Sequence, residues 1–137
     1  MSFTPLLPDE REIVDTDETL WRLVHPRHID EQGFPSSEAF ADVQRMISVV
    51  QSRLRTAREA YDFHRRSHEC DGAWPIPSGV VHQVECRVVD DTERAEVTTP
   101  GHAYVDYRHL KDEKRKRKRL RTELAAAASA LGRAHPE

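Results

Sequence analysis

Leu20, Arg22 and Val24 alternate with Trp21, Leu23 and His25, a period of two in aromatic and branched residues that predicts a strand closed by Pro26. Two prolines and a glycine make residues 26–35 a loop, and Ser36, Ser37 and Glu38 then offer a hydroxyl N-cap with an acid in the first turn. Phe40, Val43, Ile47, Val50, Leu54, Ala57 and Tyr61 follow at steps of three and four, with no Gly or Pro over residues 36–69. That spacing predicts one amphipathic helix of roughly 30 residues. Its apolar face is either a core seam or a homodimer contact.

The glycines and prolines of residues 70–79 (CDGAWPIPSG) predict a loop. Val80, His82, Val84, Cys86 and Val88 then fall on one side of a strand, opposite Val81, Gln83, Glu85, Arg87 and Val89. A turn at Asp90, Asp91 and Thr92, a short strand over residues 94–98, a turn at Pro100 and Gly101, and a strand over residues 102–107 complete a three-stranded meander. Leu120, Leu124, Ala127 and Leu131 place a last helix over residues 110–131, stopped by Gly132. The expected fold class is α+β: a small antiparallel sheet, the meander plus the N-terminal strand, packed with one long amphipathic helix and a basic C-terminal helix.

At 137 residues the chain has the size of one domain, read as residues 19–137 behind a flexible acidic arm at residues 1–18. Two cysteines make no disulfide scaffold, and no charged leader with an apolar run opens the chain, so a cytoplasmic setting is expected. No apolar stretch approaches the roughly 20 residues of a membrane span. Arginine and alanine usage points to a GC-rich bacterial genome as the expected source.

The net charge of −3 conceals a segregation. Residues 9–18 hold six acids and one arginine, whereas residues 111–121 hold eight bases and two acids. Within the basic run, Lys114, Arg115, Lys116, Arg117, Lys118, Arg119 and Arg121 wind round a helix and suit phosphates. No aromatic residue is interleaved with them, so base stacking is not expected and binding would tolerate sequence. The partner is nucleic acid or an acidic protein surface, unless the acidic arm itself covers the helix. The function expected first is that of a small binding or accessory protein using this helix.

A second constellation joins Arg22, His25, His28, Ser36, Ser37, His102 and Tyr104. If the first and last strands are neighbours, Arg22, a helix N-terminus at Ser37, and His25 or His102 converge on one anion. This is the enzyme alternative, acting on a phosphate-containing or dinucleotide substrate with Arg22, His25, Ser37 and His102 as catalytic candidates. His64 and His68 stand four apart near Cys70, but no HExxH or paired CxxC accompanies them, and no metal or other cofactor is expected. G-x-S-x-G, Walker A and Rossmann glycine patterns are absent.

LWRLVHPRHI, FPSSEAF and GHAYVDY, ahead of a basic alanine-rich helix, resemble a group of small bacterial proteins with R-x-V-H-P, S-S-x-A-F and H-A-x-V segments. The resemblance implies that Arg22, His25, Ser36, Ser37, Phe40 and His102 act as one set, without assigning an activity. A fainter likeness is to ADP-ribosyltransferase-type domains, in which an early strand presents an arginine or histidine to a nicotinamide dinucleotide.

Overall fold

Alternation in the first strand is real: Leu20 and Val24 of β2 (Thr19–Val24) are buried in the core. The computed structural model describes residues 2–137 and arranges β2 with β1 (Arg11–Ile13), β3 (Met46–Gln51), β4 (Gly72–Pro77), β5 (Arg87–Asp90) and β6 (His102–Asp106). They form one antiparallel sheet in the order β1-β5-β6-β3-β2-β4. The class is thus α+β, with six strands in place of the four expected.

The helices are α1 (Ala57–His64), α2 (Ser78–Gln83) and α3 (Lys114–Leu131). Leu120, Leu124 and Ala128 of α3 share one core with Phe40, Trp74, Val81, Ile47, Val49, Ala103 and Val105. That core lies on the sheet face carrying Ile47, Val49, Ala103 and Val105, while Ser48, Val50, His102 and Tyr104 occupy the other face by strand alternation. Gly132 ends α3 at φ +86, a backbone conformation glycine reaches without a Cβ penalty.

The single helix expected over residues 36–69 is instead a 3-10 turn (Ser37–Phe40), β3 and α1. The three-and-four spacing is coincidental: Val43 is 92% exposed, and Ile47 and Val50 belong to a strand, on opposite faces. Ile47, Val49 and Val50 are β-branched and favour that strand. A capping box opens α1, with Thr56 Oγ1 accepting from Glu59 N at 3.1 Å and Glu59 Oε1 accepting from Thr56 N at 2.9 Å. The apolar seam offered for a homodimer therefore does not exist as one helix face.

Further differences follow from local chemistry. Residues 72–77 form β4, whose prolines 75 and 77 are tolerated because only β2 pairs with it along its length. The ten-residue strand expected over 80–89 is broken at Glu85, which sits at φ +61, so its first half is α2 and its end β5. Residues 94–98 form no strand. The acidic segment, expected as an arm, contributes β1 and pairs Arg11, Glu12 and Ile13 with Asp90, Val89 and Val88. At the opposite edge, Ala73 N donates to His135 O at 2.7 Å and Ala134 N to Ala73 O at 3.0 Å.

Candidate functional site

Two places concentrate charge and chemistry, one on each face of the sheet. The first is the N-terminal half of α3. Leu120 and Leu124 turn toward the core, which leaves Lys114, Arg115, Lys116, Lys118 and Arg119 exposed around the rest of the circumference. Arg117 folds back instead, its Nη1 donating to Leu110 O at 2.8 Å and to Lys111 O, and so it caps the 3-10 turn Arg108–Leu110. Arg121 is half-buried and lines a cleft of about 330 Å³ with Asp42, Arg45, Tyr107, Lys111 and Arg117. The Nε atoms of Arg45 and Arg121 are buried there without a hydrogen-bond partner. Arg45 also holds φ +60, an uncommon conformation for a residue with a side chain.

The acids of residues 9–18 do not neutralise this surface. Glu10 Oε2 accepts from the Tyr104 hydroxyl at 2.8 Å and lies 3.6 Å from Arg94, and Arg53 N donates to Glu18 Oε1 at 3.3 Å. Asp15 serves its own turn, accepting from Asp17 N. Among the described residues, no carboxylate makes a salt bridge with any base of residues 111–121.

The second place is a cavity of about 330 Å³ on the other face, lined by Arg22, Leu23, Ser48, Val50, His64, His68, Thr99 and His102, among others. Arg22 reaches it because β2 and β3 stop pairing after Trp21↔Val50. Its side chain bridges the opening, with Nε donating to Ala39 O at 2.8 Å and Nη1 to Ser48 O at 2.9 Å. Burial lowers its pKa from the ordinary arginine value, although Asp42 and Tyr107 work the other way. His102 Nδ1 lies 2.7 Å from Oδ1 of the buried Asp91. With the Asp91 carboxylate as acceptor, Nδ1 is the donor in this contact, and the ring lines the cavity.

His64 and His68 form the third wall, their rings stacked 4.6 Å apart at 13°. Burial, helped by His68 and Arg22, pushes the His64 pKa down to about 4, so that ring is neutral at pH 7. In the sequence these two residues stand out only as candidate metal ligands, and Asp91 only as part of a turn. The signal that unites them is the strand order β6-β3-β2, which no local pattern encodes.

The remaining candidates lie elsewhere. His25 Nδ1 accepts from Arg27 N at 3.0 Å and its Nε2 is 3.3 Å from Glu69, so it caps the 3-10 turn Pro26–His28 outside the cavity. His28 sits beside it, with 6.3 Å between ring centroids. Ser36 and Ser37 begin a four-residue 3-10 turn without a side-chain cap, so the helix N-terminus expected as their anion site is missing. Tyr104 is bound into the Glu10 and Arg108 network. Burial pushes the Cys86 thiol up to about 12 and raises Cys70 as well, which removes both as thiolates at neutral pH. Compared with models of known families, with curated proteins and with solved structures, the chain matches none.

Proposed function

We propose that the protein binds a polyanion, nucleic acid foremost, through the exposed face of α3, and performs no chemistry there. The observation that carries this reading is the absence of any salt bridge to Lys114, Arg115, Lys116, Lys118 and Arg119 among the described residues, while Glu10 and Glu18 of the acidic block are engaged elsewhere. The placement is also costly for the free protein. Cations in the first turn of a helix oppose the positive end of its dipole, and Glu113 supplies no side-chain cap. An external anion relieves both repulsions at once. The neighbouring cleft, with unpartnered nitrogens of Arg45 and Arg121, extends the basic surface toward the body of the protein.

Phosphate contacts of this kind release counterions, so affinity should fall steeply with salt and depend little on sequence. Fluorescence anisotropy with short single- and double-stranded DNA and RNA at two salt concentrations tests it. Replacing Lys114, Lys116, Lys118 and Arg119 by Gln should weaken binding and flatten the salt slope by about 0.9 for each duplex phosphate no longer neutralised. Arg117 is left intact in this variant because of its capping role. Absence of binding at low salt, or a variant that binds like wild type, overturns the reading.

A further inference from the structure

We propose that the cavity between β2, β3, β6 and the end of α1 binds a small phosphomonoester, with Arg22 as counter-charge to the phosphoryl group and His102 as its hydrogen-bonding partner. This site is separate from α3 and does not rest on the polyanion reading.

Arg22 has no salt-bridge partner among the described residues. The carbonyls of Ala39 and Ser48 fix its guanidinium without neutralising it, and its Nη2 donates to neither. Asp42 offsets part of its charge from a distance without pairing with it, and a largely desolvated cation lining a cavity favours an anion there. His102 is prepared for the same ligand: Asp91 orients the ring through Nδ1, which leaves the other ring nitrogen free for a hydrogen bond to a ligand. Neutral His64 stands near enough to feel Arg22 and adds a further ring nitrogen for hydrogen bonding.

The chemistry of the walls narrows the ligand. Three terminal oxygens of a phosphomonoester can meet Arg22, His102 and His64 together, where a carboxylate offers two. Leu23 and Val50 supply an apolar surface for an organic body, and about 330 Å³ lies at the small end of ligand sites, unsuited to a polymer.

NMR titration of the full chain, following the histidine imidazole signals, tests this with phenyl phosphate, inorganic phosphate and benzoate as probes. Phenyl phosphate should shift His102 and His64 saturably and bind more tightly than inorganic phosphate, with benzoate weakest. His64 is faced by Arg22, His68 and His102, the last held by Asp91; a bound anion among them should raise its pKa above about 4. Arg22→Met should weaken phenyl phosphate at least about tenfold. Because Arg22 also braces backbone carbonyls, His102→Gln is the second variant, with the same expected loss, while His28→Gln should bind as wild type. Overturning results are no saturable shift at His102 and His64, benzoate binding as tightly as phenyl phosphate, or a folded His102→Gln protein with unchanged affinity.

Discussion

Asp106 is fully buried and shared by two arginines, Arg87 Nε at 2.8 Å on one oxygen and Arg108 Nε at 2.8 Å on the other. Burial alone would raise its pKa, but hydrogen bonds from Arg108 and Arg87 more than offset this and hold it below the ordinary value. A folded-state pKa below the unfolded one means stability that is complete above about pH 4 and is lost as pH falls through the folded value. Asp106→Asn leaves two guanidinium groups without their carboxylate and should cost about 3 kcal/mol at pH 7. Urea unfolding at pH 7 and pH 3 should show the gap to wild type narrowing at low pH; a gap of constant size would refute the assignment. At this scale Arg22 and His102 are legible as chemistry-bearing residues because of their types. Asp91 is not, since an Asp in an Asp-Asp-Thr turn has a sufficient local explanation and its tie to His102 is visible only once the residues are placed.

Among the elements, β2, β6 and α3 are readable because each carries a pattern of its own: alternation in β2, a short branched and aromatic run between turn residues in β6, and a three-four stripe ending in glycine in α3. Residues 36–69 are not, because apolar residues of a turn, a strand and a helix happen to fall in helical register. Thr56 and Glu59 mark the overlooked boundary, a threonine with an acid three positions on. Thr56→Ala should therefore cost about 1 kcal/mol and speed amide exchange in Ala57–His64. Exchange rates unchanged across that helix would show the box to be unimportant. Likewise Pro75 and Pro77 argue against a strand only on the assumption of a central one; β4 pairs along its length with β2 alone.

Taken whole, the molecule sets α3 with the core on one face of the sheet and the histidine-lined cavity on the other. The α3 bases and His102 share no partner, Asp42 and Tyr107 reaching Arg22 instead, so changes at α3 and at His102 should add. A protein carrying both the α3 charge-neutralising substitutions and His102→Gln should show each single defect at its own strength, oligonucleotide binding by anisotropy and phenyl phosphate binding by NMR. Loss of phosphate binding on changing α3 alone would show coupling through the sheet. Charge segregation in the sequence marks the basic half of α3, whereas the cavity needs strands brought side by side from residues 22, 48 and 102.

The sheet's outer strands have a consequence for the chain as a material. Residues 11–13 cover β5 and residues 134–135 cover part of β4, so two short segments act as selvedges that leave little edge along which the fabric could be extended. Trimming either end exposes a row of unpaired amides and carbonyls, and the unit that had been finished becomes one onto which another copy can be woven.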